Sequence, residues 1–136
     1  MLTGTCLCGE VGLQLRPPTL FASHCHCRTC RTAHAAAFVT WTAVPTDALE
    51  VRGEDGIRWF ESSPGVLRGF CGNCGSPVLY RALATSDRVY VPVALLDALD
   101  RAVEGHVSYE EHVPWLHGVA GLPCFDGKSD GPVPWV

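Results

Sequence analysis

Val66-Leu67-Arg68-Gly69-Phe70-Cys71-Gly72-Asn73-Cys74-Gly75-Ser76-Pro77-Val78-Leu79-Tyr80 is the stretch that decides the fold. Val66–Phe70 and Val78–Tyr80 read as short strands. Between them stand two cysteines separated by two residues. Cysteines at that spacing can reach one metal ion from a tight turn, because a Zn–S bond is about 2.3 Å. Gly72 and Gly75 are expected to supply the backbone angles of the turn, and its amides can face the sulfurs and offset their charge. A redox CxxC normally sits in a βαβ unit, and no such pattern surrounds this one. The stretch therefore predicts two strands joined by a zinc knuckle.

The same short-strand pattern runs outward in both directions. Val11–Leu15, Phe38–Ala43, Leu49–Val51, Ile57–Phe60 and Val89–Val93 are predicted strands. Gly and Pro punctuate them at Arg16-Pro17-Pro18, Gly53-Glu54-Asp55-Gly56, Ser63-Pro64-Gly65 and Gly75-Ser76-Pro77. Pro92 suits an edge strand or a strand end. Close-spaced short strands predict an antiparallel all-β domain. One or two short helical turns are expected, over Arg28–Ala35 and Leu95–Ala102. Residues 1–126 are expected to form the domain, with Gly127–Val136 as a Gly/Pro-rich tail.

Composition excludes several function classes. The chain has 136 residues, 47% apolar and 18% charged, which fits one folded domain rather than a disordered chain. Its net charge of −4 argues against nucleic-acid binding. The longest apolar run, Val89–Leu96, is too short to span a bilayer. No signal-peptide pattern opens the sequence, so a cytoplasmic location is expected. There the eight cysteines remain reduced and serve as metal ligands rather than as disulfides.

Seven cysteines fall into three clusters: Cys6-Leu7-Cys8-Gly9, Cys25-His26-Cys27-Arg28-Thr29-Cys30 and the knuckle. If Cys6 and Cys8 lie on a strand, they point to one face. They need two further ligands, which Cys71 and Cys74 can provide. In the middle cluster, Cys25, Cys27 and Cys30 can converge on one ion and leave a fourth position open, as in reactive zinc sites. Candidates for that position are Cys124, His24, His26 and His34, although alternation turns His26 away on an extended chain. Arg28 and Arg31 flank the cluster as candidate cofactor-binding residues, able to stabilise thiolates or grip a carboxylate. Spacing alone leaves the partition open, since Cys6, Cys8, Cys25 and Cys27 can also share one ion.

These motifs resemble those of the glutathione-dependent formaldehyde-activating enzyme family, which includes centromere protein V-like proteins. The resemblance rests on Gly4-Thr5-Cys6-Leu7-Cys8-Gly9, on Cys25 to Arg31 and on Arg68 to Ser76, with a weaker match over Trp115–Phe125. It implies a zinc-bound β-tent fold. It further implies a structural zinc on Cys6, Cys8, Cys71 and Cys74, and a second, labile zinc tied to activity on Cys25, Cys27 and Cys30. The implied reaction is carbon–sulfur lyase chemistry, with Cys25, Cys27 and Cys30 as catalytic residues and a thiol such as glutathione as partner. His26, His34 and Tyr80 are candidate proton donors. Two places depart from the family pattern. His34 and Ala35 stand where a small residue and a glycine are usual, and Cys124 has no family counterpart. A thiol carrier without turnover and a zinc-stabilised scaffold are the alternative functions, with a monomer or homodimer expected.

Overall fold

The computed structural model describes residues 1–124. Among the described residues, ten strands form two sheets. The smaller sheet has the order β1 (Leu2–Thr5), β2 (Gly12–Leu15), β5 (Leu49–Arg52). The larger has seven strands. Its centre is β4 (Val39–Pro45) beside β9 (Arg88–Pro92), then β8 (Pro77–Ala82), β7 (Val66–Cys71) and β6 (Ile57–Ser63). On the other side of β4 lie β3 (Ala22–Cys25) and the edge strand β10 (Gly105–Val107). All neighbours are antiparallel except β10 on β3. The expected all-β architecture is thus present, with one parallel pair added.

The sheets meet through the apolar faces that alternation predicts. Leu2, Val11, Leu13 and Leu15 pack against Val44, Val78, Val89 and Val91 in one buried cluster. Leu13 and Leu15 are essentially inaccessible to solvent, so truncating either to alanine costs roughly 2–5 kcal/mol. Cys6 and Cys71 belong to the same cluster. Pro92 closes β9 rather than lying on an edge, since β9 runs between β4 and β8.

The helical expectations divide. Helix α1 (Arg28–His34) forms as anticipated, capped by the Cys27 sulfur, which accepts from the Cys30 amide. The turn expected over Leu95–Ala102 does not form. A short 3₁₀ turn occupies Val93–Leu95, and Leu96 then bridges to Gly4. Its acidic residues are claimed by other segments. Asp97 accepts from the Thr3 hydroxyl at 2.8 Å, and Asp100 accepts from the amide and hydroxyl of Thr19 at 2.8 and 2.6 Å. Burial opposes ionisation of Asp100, but these bonds and Arg101 prevail and hold its pKa below the usual carboxylate value. Charge-assisted tertiary bonds outweigh the weak local helix preference here. The expected tail, Gly127–Val136, lies outside the described residues.

Ala35 closes α1 with φ 48° and ψ 46°, in the left-handed region. Its amide donates to the carbonyls of Arg31 and Thr32. Glycine adopts this conformation without strain, whereas a Cβ costs on the order of 1 kcal/mol. Ala35→Gly should therefore stabilise the protein by roughly 0.5–1 kcal/mol, read as a rise of a few degrees in melting temperature. An unchanged or lower melting temperature would refute the strain at this cap.

Candidate metal centres and their cavity

The first cysteine group forms where two turns meet. Cys6 and Cys8 lie in the β1–β2 turn, not on a strand as expected. Strand β1 ends at Thr5 because the chain reverses, with Cys6 N–H on the Val11 carbonyl and Gly9 N–H on the Cys6 carbonyl. Gly9, at φ 80°, permits this reversal. In the β7–β8 knuckle, Gly75 N–H bonds the Cys71 carbonyl and Cys71 N–H bonds the Ser76 carbonyl. Gly75 has the expected positive φ of 78°. Gly72 does not; it is needed because a Cβ would lie 2.9 Å from Arg58 Nε and 3.0 Å from the Gly56 carbonyl oxygen. Leu7 N–H donates to Ser76 Oγ at 3.1 Å and ties the two turns together.

The ligand atoms of Cys6, Cys8, Cys71 and Cys74 all lie within 4.8 Å of one another. Cys6 and Cys8 sulfurs are 3.5 Å apart, and those of Cys8 and Cys71 are 3.7 Å apart. A tetrahedron with 2.3 Å Zn–S bonds has edges of about 3.8 Å, so four thiolates at this spacing fit one zinc ion. All four cysteines are free thiols. Hydrogen bonds from Ser76 bring the Cys74 thiol down to about 5, which readies one ligand for metal.

Cys25, Cys27 and Cys30 form the second group, also within 4.8 Å of one another. Cys25 ends β3, Cys27 caps α1 and Cys30 lies on its first turn. The Cys25 thiol, with help from Cys27 and the Arg68 guanidinium, draws Cys30 down to about 5 against the effect of burial. Cys25 is correspondingly pushed up, first by its bond to Cys30. Three thiols with one already ionised suit a zinc ion.

A cavity of 460 Å³ opens onto all three sulfurs, with Tyr80, Trp41 and Arg68 also in its wall. Arg68 is the residue that sequence reasoning missed as a site residue. Val66, Arg68 and Phe70 share one face of β7 by alternation, and an arginine within an otherwise apolar face was the available signal. Its Nη atoms lie 3.7 and 3.8 Å from Cys30 Sγ, and its Nε donates to Ser62 Oγ at 3.0 Å. The guanidinium also stacks over Tyr80, 5.0 Å from the ring centre. Burial raises the Tyr80 phenol above its usual pKa, so it remains protonated at neutral pH.

The other candidates separate. His26 is fully buried on the far side of β3, with Nε2 2.8 Å from His106 Nδ1, and so turns away from the sulfurs as expected. His24 bonds Thr40 Oγ1 at 2.9 Å. His34 packs edge-on against Trp41, and burial lowers its pKa. Cys124 is exposed and its sulfur faces the Leu122 carbonyl. None of these four joins the three-cysteine group. Arg31 donates from Nε to the His26 carbonyl at 3.0 Å and lines neither the sulfur cavity nor the cavity beside it. Arg28 lines that neighbouring cavity.

The family model described as "Glutathione-dependent formaldehyde-activating enzyme" matches residues 1–112. The chain belongs to this family. Both cysteine groups of this formaldehyde-activating-enzyme relative fall within the matched span. It is also 33% identical over 129 residues to an uncharacterized lyase of Schizosaccharomyces pombe, covering 93% of this chain and 80% of the yeast protein. A crystal structure of a Rhodobacter sphaeroides protein shares the fold, with a TM-score of 0.63 at 21% identity, over 77% of this chain and 99% of that one. Among the described residues, no helix is long and apolar enough to cross a membrane.

Proposed function

We propose that this protein is a carbon–sulfur lyase of the formaldehyde-activating type, reversibly joining a low-mass thiol such as glutathione to formaldehyde or a related small aldehyde. The observation that carries the reading is the opening of the three-cysteine group onto a 460 Å³ cavity large enough to admit a reactant. Family membership and the lyase name of the yeast relative agree with it.

Held by Cys25, Cys27 and Cys30, zinc would supply Lewis acidity and lower the pKa of an incoming thiol. The protein's own groups account for the rest. The S–H adds across the aldehyde C=O, forming one C–S bond while the C=O π pair becomes a lone pair on oxygen. Tyr80, kept protonated by burial, can donate the proton that this oxygen needs and regain one from the thiol. Arg68 places positive charge beside the sulfur cluster and stabilises negative charge that develops there. Trp41, Tyr80 and Tyr90 give the cavity an aromatic wall. Cys6, Cys8, Cys71 and Cys74 would hold the structural ion that fixes the two turns.

The test is ¹³C exchange NMR of formaldehyde with glutathione, with and without zinc-loaded protein. Catalysis predicts faster exchange between free and thiol-bound formaldehyde, in proportion to protein concentration. Saturable glutathione binding at the uncatalysed exchange rate would replace the lyase by a thiol carrier.

A further inference from the structure

A second cavity, of 520 Å³, lies beside the first and shares Arg68 and Trp41 with it as a common wall. Among the described residues, its charged or titratable side chains are Arg28, His34 and Arg68, and no Asp or Glu lines it. This inverts the sign of the chain as a whole, which carries −4. Phe60 and Phe70 are among its apolar lining residues. Among the described residues, neither Arg28 nor Arg68 forms a salt bridge. Glu111 accepts from the Arg28 backbone amide at 2.6 Å. Arg68 uses Nε on Ser62, and its Nη atoms make only long contacts to Cys30. A guanidinium has five N–H donors arranged as a fork that matches a carboxylate. A half-buried arginine with spare donors, in a cavity whose described lining holds no acid, suits an anion.

We propose that this cavity is a carboxylate subsite: it takes the carboxylate of a reactant with an apolar body, and Arg68 is the specificity-determining residue that holds it. The inference rests on the three-cysteine group being the reacting centre. Arg68 then spans anchor and chemistry, since it touches Cys30 on one side and lines the subsite on the other. Formaldehyde alone has no carboxylate and would leave both the arginines and the apolar walls unused. The carboxylate belongs either to the thiol or to the electrophile.

Phenylacetate is a suitable probe because it is unreactive, anionic and partly apolar. Ligand-observed NMR titration of zinc-loaded protein should show saturable phenylacetate binding, at least tenfold tighter than that of neutral phenylacetamide. Arg68→Gln should weaken phenylacetate at least tenfold and leave phenylacetamide unchanged. Arg68→Lys, which keeps the charge, should restore most of the difference. Equal binding of acid and amide to the wild type overturns the proposal, and that comparison needs no variant to fold. Displacement of phenylacetate by S-methylglutathione supports the subsite with the thiol's carboxylate as occupant; simultaneous binding supports it with the electrophile's. Phenylacetate binding without accelerated formaldehyde exchange keeps the subsite and removes the lyase reading, whereas accelerated exchange without acid preference does the reverse.

Discussion

Cys71→Ser is expected to leave the chain without a cooperative fold. Cys71 is fully buried at the end of β7, within the cluster that joins the two sheets. The β1–β2 turn and the β7–β8 knuckle are linked by few other bonds, notably Leu7 N–H to Ser76 Oγ. Structural zinc contributes about 10–16 kcal/mol in small domains at neutral pH, while a whole domain is stable by only about 5–15 kcal/mol. Losing one of four ligands removes a large share of the first quantity and so exceeds much of the second. Cys71→Ser also buries a hydroxyl, which adds its own penalty. Cys8→Ser separates the two effects, since Cys8 is exposed and its replacement buries nothing. Both variants should lose one zinc per chain and the sigmoidal thermal transition. A wild-type melting temperature in Cys8→Ser would show that these four cysteines hold no folding metal.

Much of the fold was legible because alternation in this chain is governed by one buried face. The strand readings at Val11–Leu15, Ile57–Phe60 and Val66–Phe70 correspond to β2, β6 and β7 to within a few residues. Strand β3 was missed because Ala22-Ser23-His24-Cys25 lacks β-branched residues and is held by pairing on both sides, with β4 and β10. Edge strand β10 is three exposed residues, Gly105–Val107, with no periodicity to read. The helical turn expected over Leu95–Ala102 failed for a different reason. Its apolar and acidic spacing satisfies tertiary partners, Gly4, Thr3 and Thr19, that no local pattern announces.

Sulfur spacing made the three cysteine clusters legible as metal ligands, but their division into two groups was implied only by the family resemblance. The grouping of Cys6 and Cys8 with Cys71 and Cys74 came out as expected, yet the local reason differed, since a turn stabilised by Gly9 replaces the anticipated strand. The surroundings of the sulfurs were less legible. Arg68 is 38 residues from Cys30 in sequence, and its position follows from where β7 falls in the larger sheet. His26 shows the converse. Its place between two cysteines marks it as a ligand candidate, alternation turns it away from them, and it meets His106 and Tyr109 instead.

Cys27→Ser should abolish activity while leaving the fold almost intact, the opposite outcome to Cys71→Ser. Cys27 is the N-cap of α1 and accepts the Cys30 amide through its side chain. Serine is a preferred N-cap and can accept the same bond, so the helix keeps its start. What is lost is one of three sulfurs, and two thiolates hold zinc poorly. The two sites also differ in formal charge: three thiolates with Zn²⁺ carry about −1, against −2 for four. The three-ligand site lacks a donor and faces a cavity, so a chelator reaches it first. Titrating the wild type with chelator should release one zinc without change in circular dichroism, and the second only as structure is lost. Cys27→Ser should show the second step alone, with a melting temperature within a few degrees of wild type and formaldehyde exchange at the uncatalysed rate. Release of both ions together with loss of structure would make both groups structural, and the domain would then be read as a zinc-stabilised scaffold.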